Sequence, residues 1–347
     1  MKRIGEAKVD HPYTIENLPP IFIGGSVFNY QYCSNPLALP VKDVVEKAFD
    51  MGLNAIDTSP YYGPSEELLG SALKEIKFNR DQYYICTKAG RIQLNEFDYS
   101  RDNVRKSVER SLDRLHTSYL DLVYMHDIEF VEEEMIYEAL RELKLLKQQG
   151  KIRNFGISGY PVKFLHKIAY ECANNNDVGP LDAILSYSNG CIQNTILFDY
   201  YESFIKQCKI KKVLNGSILS MSLLRAQETH SFHPADIKLK QKVKEIASIL
   251  HTKYNVDLAD LATRFAIKRW LFDTIPQENP ENLTWNSKTS IVLGVSNVNE
   301  LEVGVSAYNQ VKFNENNINT HDDELFHLVE TELENHLNEV WPSGIHT

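Results

Sequence analysis

The sequence predicts an α/β fold, a (β/α)8 TIM barrel with extra helices before the eighth strand and at the C-terminus. Three observations carry that expectation. Eight short apolar runs alternate with amphipathic helical patterns from one end of the chain to the other. The runs are apolar on both faces, as strands of a parallel sheet covered by helices must be. Eight such units in 347 residues suit a closed barrel better than an open sheet.

The runs are "IFIGGSVF" (21–28), "NAIDTS" (54–59), "YYICTKAG" (83–90), "LDLVYMHD" (120–127), "IRNFGISG" (152–159), "LDAILSYS" (181–188), "KVLNGSIL" (212–219) and "TSIVLGVSN" (289–297). Between them, "VKDVVEKAFDMG" places Val41, Val44, Val45, Ala48 and Phe49 on one helical face. "SEELLGSALKEI" opens at Ser65 with two glutamates, a helix-start pattern. "RDNVRKSVERSLDRLH" and "EEEMIYEALRELKLLKQQG" are longer, the second stopping at Gly150 as a C-terminal glycine does. Three regions exceed the eightfold repeat: a polar loop at 225–235, paired helical patterns at roughly 236–251 and 257–272, and a tail with one acidic amphipathic helix. Asparagine-rich "NENNINT" reads as a solvated linker. No composition shift marks a boundary, so residues 1–347 read as a single domain.

Composition narrows the function. With 43% apolar residues the chain can bury a large core without disulfide or metal staples. Its formal charge of −10 disfavours nucleic acid and anionic membrane as partners. Cysteines 33, 86, 172, 191 and 208 are odd in number and widely spaced, the pattern of reduced thiols and not of a disulfide framework or a zinc site. "MKRIGEAKVDHPYTI" lacks the apolar core of a signal peptide, and no run of about 18 apolar residues is present to span a bilayer. The glycosylation-type triplets at 215–217 and 282–284 are then coincidental, and the expected location is the cytoplasm.

In such a barrel, chemistry sits where strands end at their C-terminal side. The second strand ends in Asp57, with Tyr62 in the following turn; the third ends in Lys88; the fourth ends in His126. A free phenol titrates near about pH 10, too high for efficient proton exchange at neutrality. A lysine ammonium about 4 Å away contributes roughly 4 kcal/mol at an effective dielectric of about 20. That is on the order of three pKa units, before desolvation acts in the opposite sense. Asp57 would hold Lys88 charged, and His126 would orient a substrate oxygen. A tuned tyrosine with no nucleophile, metal ligand set or paired carboxylates calls for hydride transfer to a nicotinamide.

The stretches "DTSPYYG", "TKAGR" and "HDIEF", together with "GISG", "FHPA" and terminal "WPSGI", resemble the aldo-keto reductases over essentially the whole chain. Within that family the similarity is to a branch of fungal and plant sugar 1-dehydrogenases acting on D-arabinose and L-galactose. The resemblance implies that Tyr62 is the general acid/base, Lys88 its pKa-lowering partner, Asp57 the partner of Lys88, and His126 the substrate-orienting group. It implies cofactor contacts from Gly25, Ser158, Ser186, Ser217, Leu219, Gly294, Ser296, Asn297 and Glu300. It departs from the family pattern at Gly159, Ser186, Gly216 and Ile218. "LGVSNVNELEVG" contains no basic residue for a 2′-phosphate and offers Glu300 and Glu302, which points to NAD over NADP.

The expected activity is oxidation of an aldose at its anomeric carbon to the lactone with NAD, the sugar being D-arabinose, L-galactose, L-fucose or L-xylose, in erythroascorbate biosynthesis. An NADPH-dependent aldehyde reductase and a non-catalytic barrel subunit are the alternatives. The acidic run 127–134 reads as a solvated helix start in preference to a contribution to sugar binding through Asp127 or Glu129, and the chain reads as a monomer.

Overall fold

The computed structural model describes residue 4 and residues 14–175 and 177–346. The N-terminal stretch read above as lacking a signal-type core lies mostly outside the described residues. Eight parallel strands close a barrel: β1 (Ile21–Gly24), β2 (Ala55–Asp57), β3 (Tyr84–Ala89), β6 (Leu122–His126), β7 (Phe155–Gly159), β8 (Ala183–Tyr187), β9 (Lys212–Gly216) and β10 (Thr289–Gly294). Their order around the barrel is β1-β10-β9-β8-β7-β6-β3-β2. Every residue of β3 and β7 is buried, which is why these strands read as unbroken apolar runs.

Helices α1 (Val41–Asp50), α2 (Ser65–Glu75), α3 (Arg101–Arg114), α4 (Glu133–Gln148), α5 (Val162–Asn174), α6 (Ile196–Lys206) and α9 (Val298–Lys312) surround the barrel. The predicted stripe of α1 is the face it buries. The two helices expected before the last strand are α7 (Ile237–Ile249) and α8 (Leu258–Ala266), each running into a π-helical stretch. Both begin at an aspartate whose carboxylate accepts backbone N–H groups, Asp236 from Lys238 and Asp257 from Ala259. With α10 (Ile318–Leu333) they bury a second apolar cluster that extends to Trp341. Inside the barrel, Phe22, Tyr84, Cys86, Leu122, Tyr124, Leu185 and Leu214 fill the space beneath the site.

Four expectations change. The first strand stops at Gly24, where residues 25–27 tighten into a 3₁₀ turn, and not at 28. An antiparallel hairpin, β4 (Arg91–Gln93) with β5 (Glu96–Phe97), rises directly after β3. "NENNINT" is no linker: Asn314, Asn316 and Asn317 adopt the left-handed backbone that asparagine tolerates, and buried Asn319 donates to the carbonyl of Val311 at 2.9 Å. The run 127–134 divides, since Asp127 and Glu129 are buried and only the later glutamates start α4.

The five cysteines are free, as expected. Asn215 lies fully buried on β9, so its glycosylation-type triplet is indeed coincidental. Among the described residues no helix is long and apolar enough to cross a membrane.

Candidate active site

Because β2, β3 and β6 are neighbours, their ends bring Asp57, Lys88 and His126 to one rim. Lys88 is 2% exposed, and its Nζ donates to Asp57 Oδ1 at 2.5 Å and to the carbonyl of Thr58 at 2.9 Å. The turn after β2 is held by backbone bonds from Tyr62 N to Ser59 O and from Ser65 N to Tyr62 O. That turn lays the Tyr62 ring 4.9 Å from Lys88 Nζ. The ring also meets His126 edge to face at 5.6 Å. All four predicted residues line a single cavity of about 640 Å³, within the range of small-molecule sites.

The electrostatics differ from the sequence expectation in one respect. Burial pushes the Tyr62 phenol up; Lys88 pulls it down, and Asp57 and Asp127 oppose that pull. The net direction is upward, because the depth that lets Lys88 approach also removes solvent from a developing phenolate. Burial pulls the Lys88 ammonium down, yet Asp57 and Tyr62 outweigh it and hold it above the ordinary lysine range. Burial lifts the Asp57 carboxyl against Lys88, and with an ammonium so firmly protonated at 2.5 Å we assign an ion pair.

His126 is held neutral: burial first, then Lys88 and Arg91, push it well below its ordinary value. Its Nδ1 lies 3.0 Å from Ser59 Oγ, which already accepts the N–H of Tyr61. The Ser59 hydroxyl proton is then free to donate to Nδ1. The remaining ring proton falls on Nε2, 3.6 Å from Asp127 Oδ2 at the cavity wall.

Ser158, Ser217, Leu219 and Gly294 line the same cavity, as expected of cofactor contacts, along with Gly24, Ser26, Val27 and Gly216. Five others do not line it. Gly25 lies beneath the wall, its carbonyl accepting from Ser65; a Cβ there would stand 2.7 Å from Ser65 Oγ, so glycine admits the start of α2. Ser186 is fully buried and its Oγ is 3.2 Å from Asn189 Nδ2. Ser296, Asn297 and Glu300 form the cap of α9: Asn297 accepts from Glu300 N, and Glu300 Oε2 accepts from Ser296 N and Oγ at 2.7 and 2.9 Å. Glu302 is paired with Lys47 of α1 at 3.0 Å.

The structure also accounts for the departures at Gly159 and Gly216. A Cβ on Gly159 would lie 2.3 Å from Glu129 Oε2, so the Glu129 carboxyl takes the space of a side chain there. Gly216 is paired in register with Tyr187, whose ring lines the cavity beside it. Gly24, Ser26, Ser158, Gly216, Ser217 and Gly294 are small lining residues that leave room for a flat ring and its chain. Those residues therefore suit a nicotinamide dinucleotide.

The same cavity is also lined by residues the strand-end rule passed over: Tyr61, Arg91, Phe130, Tyr187 and residues 341–344 of the C-terminal tail. Arg91 is one residue past the predicted strand, directly after "TKAG". The signal for the tail was "WPSGI", quoted for its similarity but assigned no place.

The chain belongs to the aldo/keto reductase family, whose profile matches residues 20–324. It is 47% identical over 339 residues to D-arabinose 1-dehydrogenase of Saccharomyces cerevisiae, covering 96% of each chain. It is 33% identical over 306 residues to L-galactose dehydrogenase of Arabidopsis thaliana, covering 87% of this chain and 86% of that one. A solved aldo-keto reductase from Bacillus halodurans, in its holo form, shares the fold with a TM-score of 0.66 at 17% identity, over 99% of both chains. Enzymes of the family act on small molecules with nicotinamide cofactors.

Proposed function

We propose that the protein is an NAD-dependent aldose 1-dehydrogenase that oxidises the anomeric carbon of D-arabinose, or of L-galactose, L-fucose or L-xylose, to the lactone. The observation that carries this reading is the convergence of Tyr62, buried Lys88 and neutral His126 on one cavity that Tyr61, Arg91, Asp127 and Phe130 also line. The names of the two curated relatives support the substrate class. The product would enter erythroascorbate formation, and we place the enzyme in the cytoplasm.

The bound nicotinamide supplies the hydride acceptor. His126 Nε2–H donates to the anomeric oxygen and fixes its direction. Tyr62 takes the proton from that oxygen as the C1–H bond breaks, leaving a lactone carbonyl. Lys88, 4.9 Å from the ring, stabilises the ionised form of Tyr62 that accepts this proton. Asp57 keeps Lys88 charged and aimed. Ser158, Ser217, Leu219 and Gly294 would hold the cofactor. Glu300 favours NAD through its second oxygen, Oε1, which makes no hydrogen bond among the described residues and can accept from a ribose hydroxyl.

The test is initial rates with D-arabinose and NAD or NADP, for the wild type and Tyr62→Phe. The wild type should show NAD-dependent turnover. The variant should lose roughly 10³-fold in kcat, the scale of general acid–base catalysis, and still bind NAD. An active Tyr62→Phe enzyme would overturn the mechanism. A preference for NADP would overturn the role given to Glu300.

A further inference from the structure

Immediately after His126 the backbone makes an unusual move. Asp127 takes a left-handed conformation, φ 58°, although it is not glycine. The turn keeps its carboxylate, 3% exposed, at the cavity wall, where Oδ2 accepts from Arg91 Nη1 and lies 3.6 Å from His126 Nε2. Arg91 arrives from the neighbouring strand end by a second constrained turn. Gly90 has φ 99°, and a Cβ there would meet the Tyr99 ring at 2.4 Å. The guanidinium is then boxed by Tyr61 at 4.1 Å, Phe97 at 5.3 Å and Phe130 at 5.6 Å, with Nη2 donating to the carbonyl of Leu94.

Two positions on this pair are unspent. Arg91 Nε is buried with no hydrogen-bond partner, and Asp127 Oδ1 makes no hydrogen bond, among the described residues. A buried ion pair costs several kcal/mol per ion in desolvation unless its remaining lone pairs and protons are satisfied. Here they are left beside the group that orients the reacting oxygen.

We infer that the Arg91–Asp127 pair reads the hydroxyls of a polyhydroxylated substrate, and in particular the hydroxyl on the carbon next to the reacting one. This deepens the dehydrogenase reading and rests on it. A sugar hydroxyl donates its proton to Asp127 Oδ1 and offers a lone pair to a remaining Nη N–H of Arg91 at the cavity wall. The C–H face of the ring meets the aromatic walls. A simple apolar aldehyde leaves the pair bare and is rejected by that desolvation cost.

The experiment compares kcat/KM for D-arabinose and for its 2-deoxy analogue in the wild type and in Asp127→Asn, with NAD. Asparagine tolerates the left-handed backbone, so the substitution keeps the turn. The wild type should prefer the hydroxylated sugar by roughly 10² or more, and the variant should bring that ratio below about tenfold, mainly through the KM of the sugar. Arg91→Lys, which keeps the charge and removes the fork, should also narrow the ratio and serves if Asp127→Asn does not fold. Equal losses on both sugars, or an unchanged ratio, would leave the pair as a structural tie and sink the inference while the dehydrogenase reading stands. Absence of turnover on any sugar by the wild type would remove both.

Discussion

Tyr62 stands above its ordinary pKa because burial outweighs Lys88. A phenol of pKa 10 or more is ionised at most about one part in a thousand at pH 7. Oxidation needs the ionised form to accept a proton; reduction of an aldehyde would need the neutral form. So kcat/KM for sugar oxidation should climb nearly tenfold per pH unit from pH 7 toward the alkaline range, and aldehyde reduction should stay level there. Rates from pH 6 to 10 check this. An oxidation profile already flat at pH 7 would mean that Lys88 wins once the site is loaded. Residue types made the tetrad legible, since a lysine at the end of an apolar strand demands a partner. The balance of burial against charge was not legible, because it depends on how deep the cavity floor lies.

At the scale of elements, the C-terminal tail is the part that completes the cavity wall. Trp341 stacks on Tyr160 at 4.8 Å and meets His233 edge to face, while His346 stacks on Phe164. Gly344, φ 74°, passes so close to the carbonyl of Glu129 that a Cβ would lie 2.2 Å from it. The Glu129 carboxyl anchors the crossing through Ser343 Oγ and Tyr160 N, each at 3.0 Å. Burial, then Asp127, lifts Glu129 to about 8.

The folded chain therefore keeps the Glu129 proton that the unfolded chain releases near 4.5. Stability from this group is complete below that value and is lost as pH rises toward about 8. Glu129→Gln retains the Oε1 acceptor and cannot ionise. Its urea-unfolding midpoint should hold between pH 5 and 9 where the wild type declines. At pH 9 the variant should be more stable by on the order of 5 kcal/mol, the equivalent of the separation between 4.5 and about 8. Parallel declines would show that Glu129 is not the group responsible.

Across the whole molecule, the two ends of the barrel have separate work. At the bottom, Asp121 binds Arg80 at 2.6 Å and Arg153 at 3.3 Å. Fully buried Lys212 donates to the carbonyls of Leu18 and Ser287. These contacts tie strand starts together and touch nothing at the top. The cavity end, with its unspent donors, is completed by ligand, so binding should raise global stability. At a concentration about 100 times its Kd, NAD should add about 2.7 kcal/mol and shift the thermal midpoint by a few degrees. NADP at the same concentration should shift it less. Equal shifts would mean that Glu300, tied to Ser296, does not discriminate.

Much of this was determined by the sequence alone. Strand and helix identities, the barrel, and the convergence of Asp57, Tyr62, Lys88 and His126 follow from local periodicity and from one geometric rule about strand ends, both short-range in the chain. Only the tertiary structure decided the rest. Arg91 meets Asp127 across 36 residues, and Ser343 meets Glu129 across 214, separations over which no local pattern carries information. It also decided that Glu129 occupies the space beside Gly159 and that Glu300 is bound into a helix cap. Which side chain fills a gap, and whether a carboxylate is solvated or buried, is set by packing between segments that only the closed barrel brings together.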